Sequence, residues 1–202
     1  MTDYFVLLDE ARRPWLEPEA LKSKFLAIAA EAHPDKLHGT DDSQKPGANR
    51  RYAELNAAYQ CLTEPKSRLL HLLQLELGAK PAEVQQIPPA LADLFAEVAK
   101  TCRNADTFLA EKNRTTSPLL RAQMFERGQG WVEQLLELQT KLTGLCNKLL
   151  EELKSIDAAW VANSNSSDRA ASLNRLEELY RLFGYFNRWS GQIQERVVQL
   201  SL

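Results

Sequence analysis

The sequence predicts an all-α protein, with an N-terminal helical hairpin followed by a C-terminal antiparallel three-helix bundle. Apolar residues recur at steps of three and four along nearly the whole chain, the spacing that gathers them on one helical face. Strict alternation rich in Val, Ile and Thr, which a half-buried strand needs, is scarcely present. Prolines stand at the ends of the periodic segments, where a residue without an N–H starts or stops a helix.

A short helix or turn is expected near Tyr4 to Leu8. Pro18 opens a longer helix with Leu21, Phe25, Ile28, Ala29 and Ala32 on one face, and Pro34 must end it. A polar loop from His38 to Gly47 leads to a helix marked by Tyr52, Leu55, Tyr59 and Leu62, and these two helices should pair antiparallel. Pro65 starts another helix, with leucines at 69, 70, 72, 73, 75 and 77, and Gly78 followed by Pro81 stops it. Leucines on so many sides predict burial on more than one face. The segment 79–89, with Pro81, Pro88 and Pro89, is the natural linker.

Beyond it a helix runs from Leu91 through Leu94, Phe95 and Val98 to about Lys112 and breaks at Asn113 to Pro118. The next is long. Its stripe of Trp131, Leu135, Leu138, Leu142, Leu145 and Leu149 is expected to continue with Leu153, Ile156 and Trp160 after one shift of phase. Gly128-Gln129-Gly130 suggests a weak point or bend in it. Asn163 to Ser167 reads as a turn, with Asp168 capping a last helix whose inner face carries Leu173, Leu176, Tyr180 and Phe183. Tyr185, Phe186 and Trp189 exceed what one face can bury and are candidates for a protein-binding patch.

Composition narrows the function classes. The 202 residues are 44% apolar and 26% charged, an ordinary globular balance. Lys plus Arg is 25 against 27 Asp plus Glu, so no cation excess exists for neutralising phosphates or anionic lipid, and neither nucleic acid nor membrane is an expected partner. Cys61, Cys102 and Cys146 have neither metal-ligand nor disulfide-framework spacing and read as small core hydrophobes in a reducing compartment. The N-terminus has no positive leader, and no stretch approaches the roughly 20 apolar residues that cross a bilayer, so the cytoplasm is the expected location. No cofactor is expected. His71, inside a leucine helix, reads as a core or interface histidine.

One local signal is sharp. In His33-Pro34-Asp35 the proline lacks an N–H and forces His33 out of helical conformation, so an imidazole and a carboxylate are displayed where the chain leaves a helix. The pair can donate and accept hydrogen bonds, and Asp35 can hold a partner's arginine, without performing chemistry.

Residues 1–78 resemble a J-domain: Asp3-Tyr4-Phe5 with Leu7-Leu8, a helix ending in His33-Pro34-Asp35-Lys36, and Tyr52-Ala53-Glu54-Leu55-Asn56-Ala57-Ala58-Tyr59-Gln60-Cys61-Leu62 as the third helix. The run Glu64-Pro65-Lys66-Ser67-Arg68-Leu69-Leu70-His71-Leu72-Leu73-Gln74-Leu75 resembles the fourth helix of the HscB type of J-protein, the co-chaperones of iron-sulfur cluster assembly. The resemblance implies a non-enzymatic co-chaperone: a J-domain over 1–78, a linker over 79–89 and a client-binding three-helix bundle over 90–202. It implies that His33, Pro34 and Asp35 engage the ATPase of a DnaK- or HscA-type heat-shock chaperone, joined by the cations Lys22, Lys24, Lys36 and Arg51. It further implies that Leu91, Leu94 and Phe95 hold the client, an iron-sulfur scaffold protein.

The chain departs from that pattern in two places. J-domains usually carry several cations just before the tripeptide, whereas here the segment is Phe25-Leu26-Ala27-Ile28-Ala29-Ala30-Glu31-Ala32, with Lys22 and Lys24 only at its start. Electrostatic steering towards the chaperone should accordingly be weak. The bundle is also longer than expected, chiefly in its second helix. A J-like adaptor for protein assembly, with weak or no ATPase stimulation, is the alternative reading. A metal-dependent hydrolase built on His33, His38, Asp35, Asp41 and Asp42 is a third, although no His-x-x-x-His or Glu-x-x-His pair supports a rigid metal site.

Overall fold

The computed structural model describes residues 2–32, 45–81, 87–162 and 166–201. Among the described residues there are seven α-helices and no strand: α1 (Tyr4–Leu7), α2 (Pro18–Glu31), α3 (Lys45–Thr63), α4 (Pro65–Leu77), α5 (Ala92–Arg114), α6 (Pro118–Ala162) and α7 (Ser166–Ser201), with a 3-10 turn at Pro89–Leu91 before α5. None of these helices is long and apolar enough to cross a membrane. The chain forms two compact units, one of Met1–Ala82 with Leu150–Arg181 and one of Glu83–Leu149 with Leu182–Leu202. Each unit thus takes part of both α6 and α7.

In the first unit, Asp3 caps α1: its carboxylate accepts from the N–H groups of Phe5 and Val6 at 3.0 and 3.3 Å and from Arg12 Nε at 2.6 Å. Pro18 starts α2, and Leu21, Phe25 and Ala29, spaced by four, form its buried stripe. This stripe meets α3, whose Leu55, Ala58 and Leu62 have no exposed surface, and Phe25 stacks on Tyr59 with ring centroids 4.3 Å apart. Fully burying one such leucine stabilises the hairpin by about 1.5–3 kcal/mol. Glu64 caps α4 through the N–H groups of Lys66 and Ser67. Gly78 ends it at φ +70°, a left-handed position that suits a residue without Cβ. As its leucines predict, α4 is buried broadly, at Arg68, Leu69, His71, Leu72 and Leu73.

Polar groups hold the segment between α1 and α2. Asp157 of α6 is 3% exposed, and its carboxylate accepts from Arg13 Nε at 2.9 Å, from the terminal nitrogen of Arg13 and from the Trp15 N–H at 3.1 Å. Trp160, one turn on, donates its indole N–H to the Arg12 carbonyl at 3.0 Å. From α4, Arg68 donates to the carbonyls of Pro14 and Leu62 at 2.8 and 2.5 Å. Burial pushes the Arg68 guanidinium down to about 10, still charged at neutral pH. Trp15 lies between cations, 5.6 Å from Arg68 and 4.8 Å from Lys154. Farther along, Arg169 of α7 bonds Glu76 of α4 at 3.0 Å and covers the Trp160 ring.

In the second unit, facing pairs fix the helix directions. Glu111 meets Arg127 and Glu97 meets Lys141, so α5 and α6 run antiparallel. Gln139 bonds Ser190 while Gly128 lies beside Leu200, so α6 and α7 do the same. Their shared core includes Leu94, Val98, Phe108, Leu135, Leu138, Leu142, Phe186, Trp189 and Ile193.

Several expectations are corrected. Phe186 and Trp189 are 4% and 3% exposed and belong to this core, with Tyr185 packed partly buried against it, so they form no exposed patch. At Gly128-Gln129-Gly130 the chain stays helical, and a Cβ at Gly128 would make ordinary van der Waals contact with the Phe108 ring at 3.6 Å, so packing does not demand a glycine there. In the α6 stripe the residue buried between Leu153 and Trp160 is Asp157, while Ile156 is only half-buried. Asp168 lies inside the first turn of α7, which begins at Ser166.

Two stability predictions follow from the first unit. Asp157→Ala should lose about 2–3 kcal/mol in urea unfolding, because it strips partners from the Trp15 N–H and from Arg13, whose partial exposure lets water offset some of the loss; a loss below about 0.5 kcal/mol would contradict the clamp. His71 is 4% exposed and its Nε2 accepts from the Tyr4 N–H at 3.0 Å, with the rings of Tyr4 and Phe5 stacked on it. Burial lowers its pKa below the ordinary 6.5. The unfolded chain therefore takes up the proton first, and stability complete above pH 6.5 is lost as the pH falls below it. Melting curves should show this acid-side drop in the native chain and a smaller one in His71→Gln.

Candidate functional site

Of the two helices that flank residues 33–44, α2 is packed up to its last turn. Ala29 is buried in the last turn of α2, and the N–H of Ala32 closes the helix onto the Ile28 carbonyl at 3.1 Å. The Phe25–Tyr59 stack binds the middle of α2 to α3. His33, Pro34, Asp35 and Lys36 themselves lie outside the described residues, as do His38, Asp41 and Asp42.

The cations expected to accompany the corner differ in availability. Lys22 and Arg51 are exposed. Lys24 is half-buried, with its ammonium donating to the Asp9 carbonyl at 2.7 Å and pairing with Glu10 at 3.0 Å. Asp9 holds a left-handed φ of 53°, which aspartate tolerates better than most side chains. Lys24 therefore braces the α1–α2 connection. The outward face of α2 carries Leu26, 56% exposed, together with exposed Ala27 and Ala30.

At the start of α5 the three expected client residues also divide. Leu94 is 7% exposed and belongs to the core of the second unit, and Leu91 is half-buried against it. Phe95 is 42% exposed. Its ring lies 6.2 Å from Trp189, which Tyr185 and Phe186 flank at 5.9 and 5.8 Å. The aromatic set of α7 thus forms a floor beneath Phe95. An apolar ring held up on a packed base is suited to burial by a protein partner.

A cavity of 510 Å³ in the first unit is lined by Tyr4, Gln60, Cys61, His71 and Gln74 among others. Burial pushes the Cys61 thiol up to about 11, so it is protonated at neutral pH and bonds the Ser67 carbonyl. The Nε2 lone pair of His71 is taken by Tyr4. Neither group is set up as a nucleophile or base. Among the described residues no three His, Cys, Asp or Glu side chains gather as a metal site.

Sequence reasoning missed the residues that hold the α1–α2 connection. One signal for them existed: Asp157 stands four residues after Leu153 and three before Trp160, where the helical period calls for an apolar side chain. An acid at such a place points to a buried partner.

No family model matches the chain. It is 33% identical over 84 residues to the co-chaperone protein HscB of Proteus mirabilis, covering 42% of this chain and 48% of that protein. It is 34% identical over 73 residues to the co-chaperone protein HscB homolog of Chromobacterium violaceum, covering 36% and 42%. The matches thus span less than half the length of these relatives. Among solved structures, chaperone HscB from Vibrio cholerae superposes with a TM-score of 0.62 at 18% identity over 98% of this chain and 99% of that one. The human co-chaperone protein HscB does so with a TM-score of 0.59 at 18% identity over 98% and 81%. In sequence over part of its length and in fold over nearly all of it, the chain is HscB-like.

Proposed function

We propose that this chain is a co-chaperone that carries no catalytic chemistry of its own. Its first 78 residues act as a J-domain on the ATPase of a DnaK- or HscA-type heat-shock chaperone. Residues 90–202, joined to it through 79–89, present a client, an iron-sulfur cluster scaffold protein, and the reading assigns this work to the cytoplasm. The observation that carries it is His33-Pro34-Asp35 in the connection between α2 and α3, in a chain similar to proteins named HscB. The packed α2–α3 hairpin brackets a connection whose sequence holds an imidazole and a carboxylate, the two groups that another protein would grip in this reading. Lys22, Lys36 and Arg51 would assist the encounter, and Phe95, with Leu91 beside it and Leu94 anchoring the turn, would meet the client.

The first test is single-turnover ATP hydrolysis by a purified DnaK-type chaperone, with and without the full-length chain. Stimulation is expected, and it should fall at least tenfold in His33→Gln, because the amide can neither carry the imidazole's charge nor reproduce both of its ring nitrogens. Stimulation that is unchanged in His33→Gln would remove the J-domain reading, and an obligate oligomer that never stimulates would favour the adaptor. The second test is calorimetry of the full-length chain with an iron-sulfur scaffold protein. Phe95→Ala should weaken binding about tenfold or more while the protein stays folded, with a modest drop in melting temperature because part of the ring packs on Trp189. Binding that is indifferent to Phe95 would move the client surface elsewhere.

A further inference from the structure

The start of α6 is not enclosed by its neighbours. Glu111 faces Arg127, so α5, which ends at Arg114, stops level with the second turn of α6. Leu200 lies beside Gly128, and α7 ends one residue later at Ser201. The first turns of α6 therefore stand beyond both helices. Every residue from Pro118 to Gln123 is exposed, and Met124 is the first that is buried. Among them Leu119 is 73% and Leu120 48% exposed, and Phe125 follows at 57%. At about 100° per residue, these three side chains are about 100°, 140° and 120° apart around the helix. Apolar groups thus ring this helix end rather than line one face of it.

The charge here is one-sided. Residues 112–125 contain Lys112, Arg114 and Arg121 and no acid, and of the two flanking acids Glu111 is paired with Arg127, which leaves Glu126. Lys112 donates to the Leu200 carbonyl and Arg121 Nε to that of Thr115, both at 3.1 Å, bonds that fix the cations in place without cancelling their charge. A cavity of 390 Å³ is lined by Lys112, Asn113, Thr115, Arg121 and Phe125. Two cations and an amide therefore open on the same space as an apolar ring.

We propose that this end of the second unit docks reversibly on an anionic lipid surface. Leu119, Leu120 and Phe125 enter the interface, Lys112, Arg114 and Arg121 meet lipid phosphates, and a headgroup occupies the cavity between Lys112 and Arg121. The near balance of the whole chain, a net charge of -2, hides this local excess, which is why composition points away from membranes. The ring of apolar groups decides the kind of partner. A folded protein covers one side of a helix, and a stable dimer needs about 800 Å² of continuous surface on each copy, whereas a fluid interface closes around the projecting turns from every side. Affinity then comes from apolar area withdrawn from water together with attraction to anionic headgroups, each modest alone. This inference goes beyond the co-chaperone reading and does not depend on it.

The test is flotation of the full-length chain with phosphatidylcholine vesicles that contain either no anionic lipid or about 30% phosphatidylglycerol. Binding to the anionic vesicles should be about tenfold tighter or more than to the neutral ones, and should weaken several-fold between about 50 and 300 mM salt. Leu119→Ser/Phe125→Ser should lose about tenfold or more in affinity, and Arg114→Gln/Arg121→Gln should lose most of the preference for anionic lipid. Both double variants change exposed residues, so the melting temperature should stay near the native value. Leu119→Trp should bind at least as tightly as the native chain, with emission moving to the blue on the vesicles. No binding, binding that ignores lipid charge, or binding unchanged in Leu119→Ser/Phe125→Ser would overturn the proposal. So would complete release by inorganic phosphate at equal ionic strength, which would assign the cavity to a free anion. Light scattering that showed a dimer dissolved by Leu119→Ser/Phe125→Ser would give this end to a second copy and overturn it as well.

Discussion

The first unit depends on a single buried carboxylate. Asp157 lies far along the chain from the segment it holds, yet three N–H donors from Arg13 and Trp15 converge on it. A carboxylate brought out of water without partners would shift to its neutral form or destabilise the fold by several kcal/mol. The connection between α1 and α2 can therefore take few other positions. Arg68 and Trp160 add bonds to the carbonyls of Pro14 and Arg12, so the same segment is satisfied from α4 as well as from α6. An apolar residue at 157 would fill the space and specify nothing about which backbone groups lie opposite it. The polar group selects a particular arrangement of the α1–α2 connection, and through it the place where Pro18 starts α2.

How much of this the sequence discloses follows from which forces leave a periodic trace. The seven helices, the break after Arg114, the left-handed stop at Gly78 and the broad burial of α4 were legible, because burial of one face repeats every three or four residues and prolines and glycines mark the ends. The clamp was not. Its members, Arg13, Arg68 and Asp157, are distant in sequence, and although Asp157 stands at an apolar position of the α6 stripe, nothing in the sequence names its partners. The aromatic set of α7 failed in the opposite direction. Counting rings on one helix ignores that two other helices bury Phe186 and Trp189 from different sides, which no single-helix projection can show.

For the candidate surfaces the legibility was uneven for the same reason. Leu91, Leu94 and Phe95 occupy one turn and look equivalent as apolar letters, but the helical phase sends Leu94 into the core and leaves Phe95 on Trp189. Lys24 reads as a free cation until the left-handed backbone at Asp9 turns a carbonyl towards it. Exposure is decided by tertiary packing, so a residue type at the right sequence distance names candidates and the structure sorts them.

That sorting shows how the Phe95 surface is built. Phe95 rests on an aromatic floor, so an apolar side chain projects from an element whose inner face is engaged in the core. Binding through such a residue then costs little ordering of the backbone, and most of the loss is confined to one side chain with two torsions. The favourable term is the area a partner would cover, which leaves partner choice to shape. A chain whose net charge is close to balance, -2 over 202 residues, offers a protein partner little long-range steering. Selectivity towards a client must come from contact, and the packed core beneath Phe95 is what makes that contact reproducible.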